Sequence, residues 1–276
     1  MFWGVRRATR TVPPRPSTLK PLASAIDHVV WSVPNLDQAI EQFVERMGFP
    51  LLYGPSEGEP AMRVADIGLG SAWIRLVEYP HWPSSQPISL ALRSSMPLDD
   101  AEICARQRGF ESGGVFVSSG RDDSRLPLIS FVLLRGVVSP TASGVLLVKY
   151  FHKVQAQRVS ECVRFFDSPA AAYGVLGLTS VRAEVSVEDG VDRWTRLLGQ
   201  EPGSCRNCWK LAEGGIVEVV LGSEDRISSL VLHAANTRVL QGAWRDTGIA
   251  SKLCDETLMV EPSSSAGLRL QIRPRN

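Results

Sequence analysis

One pattern recurs along this chain and limits its fold more than any other feature. It is a β-type run, a capped helix with one apolar stripe, a closing glycine, and then more β-type runs. The clearest copy opens at residues 25–33 (AIDHVVWSV), whose β-branched and aromatic content predicts a strand. Pro34 ends that strand, and Asn35 or Asp37 offers a helix cap. Leu36, Ile40, Phe43, Val44 and Met47 then recur at helical spacing, and Gly48 stands where a left-handed cap needs no Cβ. Strands are predicted at 50–53, 61–67 and 72–79.

The second copy has a strand at 88–92, a helix from Pro97 to Arg108 closed by Gly109, and strands at 114–118, 128–134 and 145–151. The third has a strand at 181–187, an apolar stripe of Val191, Trp194, Leu197 and Leu198 closed by Gly199, and strands at 208–211 and 216–221. The fourth is the faintest, with a strand at 227–233, a helix from Thr237 to about Arg245, and strands at 258–260 and 268–272. Four copies of unequal length do not make a solenoid. Pairing the copies does account for them. The fold class read from the sequence is α+β: paired βαβββ modules forming two tandem curved mixed sheets, or cups, with the helices outside. The expected organisation is a disordered basic Pro-rich arm (1–24), a first cup (25–153), a linker (154–175) and a second cup (176–276).

Charge separates the arm from the rest. Arg6, Arg7, Arg10, Arg15 and Lys20 fall in the first 26 residues, which hold no acid, yet the whole chain carries a net charge of only +1. A near-neutral total argues against binding nucleic acid through its phosphates. Uncharged apolar stretches are too short for a membrane helix. The five cysteines are odd in number and thinly spread, which suits a reducing compartment and predicts a cytoplasmic protein. The acid-free arm also fits a transit segment for a mitochondrion or plastid. Cys205-Arg206-Asn207-Cys208 has the spacing of half a zinc knuckle, but no second pair completes it, so it reads as a loop.

Ile26-Asp27-His28-Val29-Val30, followed by Val33-Pro34-Asn35-Leu36-Asp37, resembles the opening of the vicinal oxygen chelate superfamily, and of its glyoxalase-like members in particular. That group includes glyoxalase I, methylmalonyl-CoA epimerase, extradiol dioxygenases and bleomycin-resistance proteins. The resemblance covers residues 25–80 best and 176–222 less closely. It implies one divalent metal (Zn, Mn, Fe or Ni) per active cup, held by His, Gln or Glu on the first and last strands of paired modules. His28 fits the first such position. Arg75 stands at the next, with Glu78 an odd offset away and so on the other face. In the second module the place of His28 falls to Leu90 or Ala91, and Lys149 lies nearest the carboxylate position. In the second cup Arg182 takes the place of His28, Glu218 keeps a carboxylate, and His233 with Gln271 or Arg269 are the remaining candidates. The metal candidates are therefore His28, Glu218 and His233, diluted by cations that suit no metal. Glu218 has an equal claim to a cross-strand pair with Arg182.

Three functions follow. The leading one is a small, anionic organic ligand in the first cup, with His28 as hydrogen-bonding group or general base, Arg75 and Lys149 as anion contacts, Trp82 at the rim, and any catalysis metal-independent. The second is a divalent-metal-dependent lyase, isomerase or dioxygenase. The third is a non-catalytic, degenerate binding or structural protein. A homodimer through sheet edges is expected, with no nucleic-acid or membrane partner.

Overall fold

The computed structural model describes residues 19–57, 62–80, 84–118, 129–135, 137, 144–151, 162–186, 189–199, 202–203 and 207–275. Its first half runs β1 (Ala23–Ser32), α1 (Leu36–Ile40) continued by a π-helical turn (Glu41–Arg46), β2 (Leu51–Glu57), β3 (Arg63–Gly68), β4 (Trp73–Glu78), β5 (Gln86–Ser94), α2 (Leu98–Gln107), β6 (Glu111–Ser118), β7 (Ile129–Arg135) and β8 (Gly144–Tyr150). These strands form one sheet in the order β2-β3-β4-β1-β5-β8-β7-β6. The first strands of the two modules, β1 and β5, pair antiparallel at its centre, and each lies parallel to the last strand of its own module.

The second half begins with helical turns α3 (162–166) and α4 (Pro169–Ala172). Then come β9 (Val175–Val185), α5 (Asp189–Leu198), β10 (Cys208–Lys210), β11 (Ile216–Leu221), β12 (Arg226–Ala234), α6 (Thr237–Asp246), β13 (Ser251–Cys254), β14 (Thr257–Val260) and β15 (Leu270–Pro274). The second sheet has the order β10-β11-β9-β12-β15-β14-β13, again with two module-opening strands, β9 and β12, antiparallel at the centre. The α+β class and the paired modules are as expected.

The fourth copy is complete, with three strands after its helix. It also starts its helix as the first copy does. Asn35 Oδ1 accepts the Gln38 N–H at 2.9 Å. Asn236 Oδ1 accepts the N–H groups of Arg238 and Val239 at 3.0 and 3.1 Å. Strand β13 escapes the sequence because the β13–β14 turn is Asp255-Glu256, both at positive φ (44° and 66°), with none of the glycine that marks such hairpins. The start of the chain differs too. β1 begins at Ala23, two residues early, and Leu22 is fully buried with its N–H donating to Leu197 O at 3.4 Å.

Both sheets lay one face on a single core. Val29, Trp31, Ile74, Leu90 and Leu147 from the first join Val181, Leu230, Leu232 and Ile272 from the second, with Phe43, Met47, Phe49, Phe165, Trp194 and Trp244 between. The expected linker takes part where it is described. Phe165 is fully buried and stacks on Phe49 at 6.4 Å, and the Ala170 N–H donates to Gly48 O at 3.1 Å. Gly48, at φ +80°, has no room for a side chain, since a Cβ there would lie 2.8 Å from Pro169 Cβ. Hydrogen bonds cross between the halves as well. Trp244 Nε1 donates to Met47 O at 3.2 Å, Gln42 Nε2 to Ser263 O at 2.8 Å, and the Leu178 N–H to Leu69 O at 2.7 Å.

Candidate functional site

With one face of each sheet committed to the core, the opposite face is where the polar side chains collect. On the first sheet it includes His28, Trp73 and Ala91, which stand in register across β1, β4 and β5. Arg75 and Val30 are paired two residues further along.

Asp27 joins them because of a bulge. The β1–β5 register passes from Ile26–Leu92 to His28–Ala91, leaving Asp27 as the extra residue. In a regular strand consecutive side chains diverge to opposite faces. Here Asp27 Oδ2 instead lies 2.7 Å from His28 Nδ1. Tyr150, at the end of β8, donates its hydroxyl to the same oxygen at 2.6 Å. Asp27 Oδ1 is buried with no hydrogen-bond partner among the described residues, and Arg93 Nη2 stands 3.7 Å away. His28 is 2% exposed and stacks on Trp73, with ring centroids 4.8 Å apart and 17° between planes.

Burial pushes the His28 pKa below its usual value, against the raising effect of Asp27, so the ring is neutral near pH 7. The carboxylate fixes the one ring proton on Nδ1, which leaves Nε2 with its lone pair. The bond to Asp27 is the ring's one hydrogen bond among the described residues.

Arg75 is already engaged. Its Nε and Nη2 donate to the two oxygens of Asp66 at 2.8 and 2.9 Å, and Asp66 is 1% exposed. Burial opposes the charge on Arg75, yet Asp66 more than offsets it and raises the pKa. Register explains the pair, since Asp66 and Arg75 are directly opposed in β3 and β4. Glu78, at the odd offset, does point elsewhere. It accepts the Leu36 N–H at 2.9 Å and so caps the start of α1. Lys149 is exposed and shares strand parity with the core residues Val145 and Leu147, so it is not brought to His28. Trp82 lies outside the described residues.

On the second sheet Glu218 is enclosed by donors. Arg182 Nη2 reaches its Oε2 at 2.8 Å, Arg273 Nη1 its Oε1 at 3.0 Å, and Ser180 Oγ the same Oε1 at 2.9 Å. Burial would raise this carboxyl, but those three hydrogen bonds hold it below its usual pKa. His233 stands beside Arg273 in register, and burial together with Arg273 and Arg275 lowers its pKa. Cys208, opposite Glu218, is disulfide-bonded, whereas Cys104 and Cys254 are free thiols; Cys205 lies outside the described residues.

Comparison with solved structures places this architecture. A hypothetical protein from Staphylococcus aureus superposes at TM-score 0.65 with 9% identity, over 91% of this chain and 99% of that one. The Mn(II)-bound glyoxalase from Novosphingobium aromaticivorans matches at 0.62 with 10% identity, over 92% and 82%. A catechol 2,3-dioxygenase matches at 0.59 with 16% identity, over 92% and 89%. The chain has the vicinal oxygen chelate fold. No protein-family model and no curated protein matches it.

Within that fold, the donors among the described residues do not fit a divalent ion. In the first sheet His28 is flanked in register by Trp73 and Ala91, with Arg75 two residues further along β4. In the second, Glu218 is spent on two guanidinium groups. The described residues contain no cluster of three His, Cys, Asp or Glu side chains able to hold a metal. A borderline or hard cation needs several such donors and is repelled by arginine.

The sequence missed Asp66, Arg93, Trp73 and Tyr150 as members of this site. Asp66 had a readable signal, because a β3–β4 hairpin of this length sets it across from Arg75. Tyr150 and Arg93 had none, since only the β8–β5–β1 order brings them to Asp27.

Proposed function

We propose that the face of the first sheet opposite the core binds a small organic molecule carrying an anionic oxygen, and that His28 Nε2 is its hydrogen-bond acceptor or general base, without a metal. The observation that carries this reading is the buried Asp27–His28 pair at 2.7 Å, backed by Tyr150 at 2.6 Å. It fixes the tautomer of a neutral imidazole and orients the ring. A proton taken from a ligand would arrive at Nε2, and the imidazolium so formed would be stabilised by Asp27. The anion contact falls to Arg93 better than to Arg75. The Arg75 fork is closed on Asp66, whereas Arg93 is about one-third exposed and holds Glu213 and Asp27 only at 3.4 and 3.7 Å. A carboxylate ligand offers it a shorter, two-pronged partner.

The test is calorimetric titration of small carboxylates, alongside elemental analysis of the protein as purified. The expected result is binding by metal-free protein that falls at least tenfold in both His28→Ala and Arg93→Ala. Stoichiometric divalent metal, with chelation abolishing binding, would instead establish the metal-dependent enzyme. No metal and no response to any carboxylate would leave the degenerate structural reading.

A further inference from the structure

The face of the second sheet opposite the core has a charge arrangement that the first lacks. Arg182 on β9, Arg226 on β12, Lys252 on β13 and Arg273 on β15 all share it. Their neighbours Val181, Ile227, Leu253 and Ile272 turn to the core, so parity settles the side. Arg226 is matched by Glu184 at 2.9 Å. The centre is not matched in the same way, because Arg182 and Arg273 share the single carboxylate of Glu218. One carboxylate between two guanidinium groups leaves a net positive charge.

Donors remain as well as charge. The bonds to Glu218 use Nε and Nη2 of Arg182 and both Nη atoms of Arg273. Arg182 Nη1 and Arg273 Nε carry N–H groups beyond those bonds, on side chains 27% and 33% exposed. Ser229, buried and directly opposite Arg182, adds a hydroxyl, and Gln271 Nε2 reaches that hydroxyl at 3.3 Å. His233 stands in register with Arg273, and its pKa is lowered first by burial and then by the charges of Arg273 and Arg275.

We infer that Arg182 and Arg273 form a binding site for a compact oxyanion of the phosphate class, with Glu218 as its resident counter-ion. Paired planar guanidinium forks match a tetrahedral oxyanion, and a half-buried setting strengthens the attraction. Glu218 holds the two forks in place while the site is empty and opposes the ligand when it is filled. The site is separate from His28 and stands whether or not the first sheet binds a carboxylate.

The experiment is titration of the full-length protein with inorganic phosphate against sodium chloride at matched ionic strength, read by calorimetry and thermal shift. Saturable one-to-one binding is expected, with a rise in Tm that chloride does not reproduce. Arg273→Gln should weaken binding at least tenfold, while Glu218→Gln should tighten it severalfold, a gain that a purely structural salt bridge does not give. Arg182→Gln combined with Glu218→Gln keeps the charge balanced, so that loss of binding can be separated from loss of fold. His28→Ala and Arg93→Ala should leave phosphate binding unchanged. The proposal is overturned if phosphate acts no differently from chloride, if Glu218→Gln weakens binding, or if His28→Ala abolishes it.

Discussion

A buried histidine with a carboxylate on one nitrogen is the residue-scale centre of this protein, and its titration has a definite sign. His28 has a folded pKa below its ordinary value, so the unfolded chain binds its proton more tightly. Stability therefore rises with pH through the window below about 6.5 and is flat above it, because only in that window do the two states differ in protons bound. His233 adds to the slope in the same direction. Urea unfolding of wild type between pH 5 and 8 should show this rise, and His28→Gln should flatten part of it; an unchanged slope would mean that the ring is not buried neutral. Arg75 and Asp66 give a second residue-scale prediction. Arg75→Ala removes the two-pronged partner of a carboxylate that is 1% exposed and should cost about 3 kcal/mol in chemical denaturation. Replacing both partners, as in Asp66→Val with Arg75→Met, should recover most of that loss, since no charge is left without a partner.

At the scale of elements, caps and turns govern how well each module forms. Asn35 and Asn236 do equivalent work at the starts of α1 and α6, and Asn236→Ala should lower stability by about 1 kcal/mol. The β13–β14 turn runs the other way. Glu256 sits at φ 66° without the freedom of glycine, so Glu256→Gly should raise Tm, with a gain of about 0.5–1 kcal/mol. A fall in Tm would show that the Glu256 side chain stabilises the turn. The bulge at Asp27 belongs to this scale as well. It turns a strand residue into a partner for its own neighbour, and in doing so makes the site.

At the scale of the molecule, the two sheets share a core and should unfold together. Trp244 is fully buried in the second half but donates to Met47 in the first and packs on Phe49 at 6.2 Å. Trp244→Ala should therefore cost about 3–5 kcal/mol. Wild type should lose tryptophan fluorescence and far-UV dichroism in one coincident transition. Two separated transitions would show that each sheet carries its own stability. Among the described residues, no helix is long and apolar enough to cross a membrane.

By itself the sequence determined the order of the four modules, their helices with the closing glycines, and most of their strands. Those features follow from periods of two and 3.6 residues and from Asn, Pro and Gly at fixed offsets, all of which act over a few neighbours. It also singled out Asp27-His28, Arg75 and Glu218, and offered Arg182 as partner to the last. Only the tertiary structure decided what those residues do. Tyr150 reaches Asp27 across 123 positions, Arg273 reaches Glu218 across 55, and Asp66 closes the fork of Arg75. Such pairings depend on strand order, register and one inserted residue, and these are settled by how whole strands assemble rather than by any local run of side chains.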